Sequence, residues 1–181
     1  HTGGVVANTG LALKKLGADV RLVGKVGGDA FGDLVRGIMK KYGADQDVLV
    51  DPKESTSYTI VLAPPGVDRI FLHNPGANDH FGADDIPDEM LDAVDLFHFG
   101  YPPILRRMYQ DKGAELLRLL GRVREKGAAV SLDLAAVDEE SDAGRADWKQ
   151  ILTDVLPLVD FFVPSAEELC YMLDPGGMKR G

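Results

Sequence analysis

Apolar residues with helical spacing form the clearest pattern in the chain. Between residues 31 and 42 they recur at every third or fourth position, and Gly43 follows directly. This spacing places the apolar side chains on one stripe of a helix, and glycine is common just past a helix end. Similar patterns, each followed by glycine or proline within two residues, predict further helices over residues 6–16, 114–126, 148–156 and 167–173.

Short apolar runs alternate with these predicted helices. They occupy residues 20–23, 96–99, 130–134 and 161–163, and buried strands of parallel sheets are short and apolar in this way. Regular alternation of strand and helix predicts an α/β fold, in which helices cover both faces of a mainly parallel sheet. Ligands of such folds bind beyond the carboxyl ends of the strands. Site residues are therefore expected where the strands end.

Residues 56–73 interrupt this alternation. Two runs rich in β-branched and aromatic residues flank the sequence Pro64-Pro65-Gly66, which predicts an antiparallel hairpin. Because a sheet covered by helices on both faces leaves no room for such a hairpin, we expect it to project as a flap over the ligand crevice.

Composition and charge narrow the class of protein. The chain has 181 residues, of which 45% are hydrophobic, as expected for one globular domain. Its net charge of -9 argues against the basic surface that nucleic-acid binding needs. No apolar run reaches the ~20 residues of a membrane span, and Cys170 has no second cysteine for an internal disulfide. We expect a cytoplasmic protein without membrane or nucleic-acid partners.

The paired glycines Gly3 and Gly4, directly before the first predicted helix, form a candidate ligand site. Glycine lets the backbone approach a ligand closely, and a helix N-terminus presents unpaired N–H groups to polar or anionic atoms. The sequence has no GxGxxG or GxxxxGK[ST] phosphate loop, no HExxH zinc motif and no GxSxG elbow. Rossmann, P-loop, zinc-hydrolase and serine-hydrolase functions therefore lack support.

Several sequence features occur together in one known family. The matching segments are the paired glycines with Asn8, Gly17, and residues 26–32 (VGGDAFG), 74–78 (NPGAN), 130–134 and 159–168 (VDFFVPSAEE). This combination resembles the PfkB, or ribokinase-like, carbohydrate kinases over essentially the entire chain. The resemblance implies a three-layer α/β sandwich with a mainly parallel sheet and a small β-hairpin lid. It also implies an enzyme that uses ATP and Mg²⁺ to transfer the γ-phosphoryl group to a hydroxyl of a sugar or sugar-like substrate.

The resemblance assigns sugar-binding roles to the glycine-rich start and to the NPGAN segment. Gly3 and Gly4 would lie against the sugar, and Asn8 would hydrogen-bond a sugar hydroxyl. Asn78 would border the same pocket under the hairpin. Each asparagine also has a structural alternative, since Asn commonly caps helices and adopts the left-handed conformation in turns. Asn8 could cap the first helix, and Asn78 could occupy such a turn.

Two carboxylates complete the set of candidate site residues. Asp133 ends a predicted strand and could contact the substrate or a phosphate-bound cation, or cap the loop that follows. Glu168 is similar to the family's glutamate that organises water around the Mg²⁺ of ATP. Ser165 and Glu168 also have the spacing of a capping box, in which each side chain binds the other's backbone N–H. Asp29 is expected to cap a helix and not to act in catalysis.

The resemblance also indicates which parts of the family's site this chain lacks. The acidic sugar-binding residue would precede His1, and the C-terminal part of the fold, with the Gly-Ala-Gly-Asp element that supplies the general base and an anion hole, would follow Gly181. We therefore expect an N-terminal portion with no catalytic residue of its own, inactive in isolation. The alternative is a catalytically silent sugar- or nucleoside-binding module.

Three positions depart from the family pattern. Ser165 stands where family members usually carry Asn, and Val5 stands where ribokinases carry Lys. Gly100 and Tyr101 follow a predicted strand where ribokinases carry a glutamate. The sugar contacts have therefore changed, and ribose is not the expected substrate. Tyr101 would stack on a sugar ring or pack against the hairpin. Because hairpins of this family often pair, an exposed apolar hairpin face would favour a homodimer.

Overall fold

The computed structural model describes residues 2–67 and 70–174. The chain divides into two compact units, residues 1–80 and 81–181. Each unit is described by itself below. That both belong to one domain stays a prediction from the sequence.

The first unit begins with a helical segment. A π-helical turn over Val6–Gly10 continues as helix α1 over Leu11–Lys15, and Gly17 follows with φ +87°, as expected for the residue after a helix. Leu11 packs in a buried cluster with three residues from later in the chain. These residues are Leu22, Met39 and Ala44.

The first sheet of this unit has two parallel strands, β1 (Gly24–Gly27) and β2 (Val48–Asp51). The strand predicted over residues 20–23 is wrong, since the backbone that pairs with β2 lies just after it. Leu22 is nevertheless buried in the core, so its apolar character reflects packing without strand pairing. Gly27 lets the segment at residues 54–56 pack closely against β1, because a Cβ there would lie 2.3 Å from the Glu54 carbonyl oxygen.

Helix α2 (Ala30–Lys40) confirms the strongest helix of the sequence analysis. Asp29 is its N-cap, with Oδ1 accepting a hydrogen bond from Gly32 N at 2.8 Å, as predicted. The predicted apolar stripe is only partly buried. Met39 is 2% exposed, whereas Phe31 and Leu34 are 54% and 59% exposed. The middle of the stripe, with the half-buried Val35 and Ile38 and the buried Met39, therefore faces the core, while its first turn does not.

The predicted hairpin is confirmed as strands β3 (Tyr58–Leu62) and β4 (Ile70–Asn74). They pair antiparallel, with Tyr58 opposite Asn74 and Leu62 opposite Ile70. Residues 68 and 69, which include part of the predicted second run, lie outside the described residues. All side chains of β3 and most of β4 are exposed, so both faces of the hairpin are open within this unit.

The second unit is built on a parallel sheet of three strands in the order β5-β6-β7. Strands β5 (Leu96–Gly100), β6 (Ala129–Asp133) and β7 (Phe161–Phe162) confirm the corresponding sequence predictions. The helices of this unit are α3 (Asp88–Leu91), α4 (Arg106–Tyr109), α5 (Ala114–Glu125), α6 (Trp148–Val155) and α7 (Ala166–Leu173).

Helices α5, α6 and α7 occupy the predicted segments. The sequence analysis missed the single-turn helices α3 and α4, because four residues are too few to show a helical repeat. Buried side chains from α5, β6 and α6 form the core of this unit, among them Leu119, Leu120, Leu132 and Ile151. Among the helices of residues 2–67 and 70–174, none combines the length and apolar character that a bilayer-spanning segment needs.

Candidate functional site

The paired glycines lie just before the first helical turn. Gly4 has φ +77°, a conformation that a residue with a Cβ rarely adopts, and a Cβ on Gly3 or Gly4 would meet no described atom within 4 Å. The backbone here is therefore both glycine-dependent and open on one side. This arrangement suits close approach by a ligand.

Asn8 lies inside the π-helical turn. The N-cap of that turn is Val5, and no side chain caps it, so the interpretation of Asn8 as a helix cap is wrong. Asn8 is exposed and lines a cleft of about 410 Å³ between the first helical segment and α2. Lys15 and Tyr42 line the same cleft, with Lys15 Nζ 4.8 Å from the centre of the Tyr42 ring. The Asn8 amide is thus available to a polar ligand.

Asn78 lies in a 3₁₀ turn over Gly76–His80. Gly76 takes the left-handed conformation there with φ +48°, and Asn78 has a negative φ, so the left-handed alternative for Asn78 is wrong. Its amide Nδ2 donates to Ser57 Oγ at 3.1 Å. This hydrogen bond orients the amide against the base of the hairpin, and the amide oxygen has no hydrogen-bond partner among the described residues.

A cluster that the sequence analysis did not predict lies at the carboxyl end of β1 and β2. His80 Nδ1 is 3.1 Å from Asp51 Oδ2, and His80 Nε2 is 3.6 Å from Glu54 Oε1. Lys25 Nζ donates to the His80 carbonyl oxygen at 2.9 Å. The backbone N–H of Lys53 and the imidazole of His80 lower the pKa of Asp51 below its ordinary value. No short sequence motif marks this cluster, because Lys25, Asp51 and His80 are far apart in the chain.

In the second unit, Asp133 lies at the carboxyl end of β6, where its register partner is Gly100 at the end of β5. Asp133 Oδ1 accepts a hydrogen bond from Leu134 N at 2.9 Å, which is the predicted loop-capping role. Burial, followed by the negative charge of Glu168, raises the pKa of Asp133 above its ordinary value. A partly desolvated carboxylate therefore stands where ligands bind in parallel α/β folds.

Tyr101 follows β5 directly and has an unusual backbone conformation. Its φ of 64° and ψ of 49° are left-handed, a conformation that costs a non-glycine residue energy and is found more often at functional sites. Tyr101 N donates to the Asp133 carbonyl oxygen at 3.2 Å, and the buried Pro102 and Pro103 follow. Burial and the charges of Asp133 and Glu168 raise the pKa of the Tyr101 hydroxyl. The phenol is therefore electrostatically coupled to both carboxylates.

His98 and Ser131 are register partners on β5 and β6, two residues before Gly100 and Asp133 at the carboxyl ends of these strands. His98 Nδ1 is 2.9 Å from Ser131 Oγ. Burial lowers the pKa of His98 below its ordinary value, so this imidazole is neutral at pH 7. The pair was not predicted, although both residues lie on predicted strands.

Glu168 lies in the first turn of α7, where the predicted capping box is present. Ser165 N donates to Glu168 Oε2 at 2.7 Å, and Glu168 N donates to Ser165 Oγ at 3.2 Å. No group of at least three His, Cys, Asp or Glu residues that could hold a metal ion occurs within residues 2–67 and 70–174.

Comparison with known proteins identifies the family. The model of the pfkB family carbohydrate kinases matches residues 1–175. The chain belongs to this family. The match spans the glycine pair, the NPGAN segment and the α7 capping region, and the predicted resemblance is confirmed.

Curated relatives of this pfkB chain include plant fructokinases. The probable fructokinase-3 of Arabidopsis thaliana is 28% identical over 134 residues, which cover 72% of this chain and 38% of that protein. Fructokinase-1 of Zea mays is 29% identical over 134 residues, covering 72% of this chain and 41% of that protein. The chain spans about two fifths of the length of these relatives.

Solved structures confirm the ribokinase-like α/β fold class. A fructokinase from Xylella fastidiosa with bound ATP matches with a TM-score of 0.79 and 26% identity, covering 96% of this chain and 53% of that one. The pfkB chain thus has the ribokinase-like α/β fold with a parallel sheet and spans about half the length of that fructokinase.

The structure places the predicted site residues in two groups, one in each unit. Gly3, Gly4, Asn8 and Asn78 belong to the first unit, and Asp133 and Glu168 belong to the second. Within the second unit, Glu168 is close enough to Asp133 for its charge to raise the pKa of Asp133, in addition to the larger effect of burial.

Proposed function

We propose that the full-length protein is an ATP-dependent sugar kinase that transfers the γ-phosphoryl group to a hydroxyl of a sugar or sugar-like substrate. The observation that carries this proposal is the position of two carboxylates, Asp133 and Glu168, beyond the carboxyl ends of the parallel strands in a pfkB chain, where burial and the charge of Glu168 raise the pKa of Asp133. The names of its relatives support it, since they are fructokinases and one structure holds ATP. A ketohexose such as fructose is therefore the first acceptor to test.

The proposed roles of the sugar-side residues follow from their surroundings. Gly3 and Gly4 offer an open backbone edge, and Asn8 and Asn78 offer amide groups that can bind sugar hydroxyls. Asp133 accepts hydrogen bonds from the substrate and, by its charge, orients the acceptor hydroxyl. We assign the phenol of Tyr101, whose pKa is raised by burial and by the charge of Asp133, to the same proposed site.

The carboxylates also fit a hydrated Mg²⁺. Magnesium keeps several of its waters in proteins and is bound through one or two carboxylates together with substrate phosphates. Glu168 Oε2 accepts a hydrogen bond from Ser165 N. We propose that the Glu168 carboxylate also binds a water molecule of the Mg²⁺ hydration shell. When bound, the ion neutralises charge on the transferring phosphate.

We propose that the hairpin mediates a homodimer and that the protein is cytoplasmic. The dimer is supported by the exposure of apolar side chains on both hairpin strands, such as Ile60 at 50% and Leu72 at 52%, since exposed apolar patches mark interaction surfaces. The cytoplasmic location rests on the sequence alone and stays a prediction.

An ATP-turnover assay with a panel of hexoses, pentoses and nucleosides tests the function. We expect sugar-dependent ADP formation by the full-length protein, with fructose among the acceptors. The 181-residue chain alone should be inactive, because its sequence has no Gly-Ala-Gly-Asp element. Turnover by the isolated chain would contradict this expectation. Sugar binding without turnover by the full-length protein would instead favour a catalytically silent binding module.

A further inference from the structure

The base of the hairpin is tied to the start of α2 by one carboxylate. Thr56, which is 4% exposed and lies just before β3, donates its hydroxyl to Asp29 Oδ1 at 2.6 Å and its backbone N–H to Asp29 Oδ2 at 2.8 Å. Its hydroxyl oxygen accepts from Gly27 N at 2.9 Å. Asp29 Oδ1 also accepts from Gly32 N. We call Asp29 and Thr56, with these four hydrogen bonds, the hairpin clamp.

The backbone around the hairpin clamp is packed too closely for side chains. A Cβ on Gly32 would lie 3.0 Å from Thr56 Oγ1, and a Cβ on Gly76 would lie 2.3 Å from the Ser55 carbonyl oxygen. Ala77 N donates to that same carbonyl oxygen at 2.8 Å. The segments that enter and leave the hairpin are therefore held against each other at the clamp.

The hairpin clamp is connected to Asn78, one of the residues proposed to bind the sugar. Ser57, the residue after Thr56, accepts the hydrogen bond from Asn78 Nδ2 at 3.1 Å. Displacement of Thr56 would therefore move the group that orients the Asn78 amide. The path from Asp29 to Asn78 consists of hydrogen bonds and one peptide link, all within the first unit.

Helix capping explains only part of what Asp29 does. A cap needs one acceptor oxygen, and Ser serves as well as Asp in that role. The structure has three donors on the Asp29 carboxylate, and two of them come from Thr56. Binding Thr56 in addition to capping α2 requires a side chain with two acceptor oxygens.

We propose that Asp29 and Thr56 are positioning residues that fix the hairpin base and the Asn78 amide in the geometry that binds the sugar. The sugar-binding part of this inference rests on the proposed kinase function. The positioning part concerns the fold of the first unit and can be tested without any turnover.

Hydrogen exchange of the full-length protein tests the positioning part. Asp29→Ser keeps an acceptor for Gly32 N and removes the second oxygen, and Thr56→Val removes the hydroxyl at similar volume. We expect each to raise amide exchange in residues 58–62, 70–74 and 77–78 about tenfold, as loss of a buried hydrogen bond allows, with α2 nearly unchanged. Thr56→Ser should restore protection. Unchanged exchange in the hairpin, or an equal rise throughout α2 and β1, would overturn the proposal.

Kinetics of the same variants test the link to the sugar. Thr56→Val should raise the sugar KM about tenfold, as one lost buried hydrogen bond allows, while kcat and the ATP KM stay close to wild type. Thr59→Val is the matched control, because Thr59 bonds His73 across the exposed hairpin at 2.8 Å and does not touch the clamp. Faster hairpin exchange with an unchanged sugar KM would refute the link to Asn78. If no sugar supports turnover in wild type, the proposed function fails, and the exchange result still decides the positioning role.

Discussion

The charged carboxylate of Asp133 has an electrostatic cost to the stability of the folded state. Its ordinary pKa is 3.8, and burial together with the charge of Glu168 raises the pKa in the folded state. A carboxyl with a raised folded pKa binds its proton more tightly when folded, so stability falls as the pH rises from the unfolded pKa through the folded pKa. At pH 7 the full cost is present. Such a cost is typical of a residue kept for ligand binding.

Asp133→Asn should therefore stabilise the protein while impairing its function. We expect a higher Tm at pH 7, because the amide carries no charge to desolvate, and a gain that disappears below about pH 4, where the carboxyl is protonated in both states. Sugar-dependent turnover should fall at the same time. Thermal melts across pH 3 to 8, combined with turnover assays, check both effects. A lower Tm at pH 7 would contradict the assigned electrostatic cost.

A substitution of Asn8 gives a second test at the level of single residues, because the structure excludes a helix-capping role for Asn8. Asn8→Ala should leave the Tm near wild type, since alanine is a good helix former and no cap is lost. Sugar affinity should fall by about 1–3 kcal/mol if the amide binds a sugar hydroxyl. Calorimetric titration and melting of the same variant measure the two quantities. Thr9→Ala, in the same exposed turn, is the control that should change neither.

Elements with a local sequence signal were predictable in this chain, whereas a strand that depends on a distant partner was not. Helix α5 follows from an apolar stripe and from Gly127, which has φ +85°, and both signals lie within a few neighbouring residues. Strand β1 depends on its partner β2, which is 24 positions away at Gly24 and Val48, so no local pattern shows which residues pair. The run Val48-Leu49-Val50, which is rich in β-branched residues, is a local strand signal for β2.

A substitution in helix α7 tests whether Glu168 acts only as part of the helix cap. Glu168→Gln retains the capping-box geometry, since Gln also serves at this position, and removes the negative charge. We expect a Tm close to wild type, with lost turnover and a higher Mg²⁺ requirement in the full-length protein. Glu167→Gln, which changes an adjacent exposed charge in the same helix turn, is the control. Unchanged turnover and Mg²⁺ dependence would leave capping as the role of Glu168.

At the scale of the whole molecule, family membership and fold class were predictable because motifs spread along the chain carry them. The tertiary contacts of the site were not predictable from the sequence. Thr56 lies 27 positions from Asp29, and His80 lies 29 positions from Asp51, so neither pairing leaves a local spacing. Asp29 was correctly predicted as a cap, whereas its hydrogen bonds to Thr56 required the structure.

The hairpin gives the last prediction, because its two faces differ in chemistry. The register puts Ile60, Leu62, Ile70 and Leu72 on one face, and all are between 45% and 52% exposed. The opposite face carries the hydrogen-bonded Thr59 and His73 and, among the paired residues of β3 and β4 that the structure describes, only two exposed apolar side chains, Val61 and Phe71. Dimerisation through the aliphatic face buries more apolar surface and leaves those polar groups in water.

Leu72→Lys in the full-length protein should therefore convert the proposed dimer into a monomer, since a buried unpaired ammonium would oppose association. Val61→Lys places the same charge on the opposite face and is the control that should leave the dimer intact. Sedimentation velocity at several concentrations measures both variants. Dissociation by Val61→Lys and not by Leu72→Lys would assign the interface to the other face, and a monomeric wild type would remove the dimer altogether.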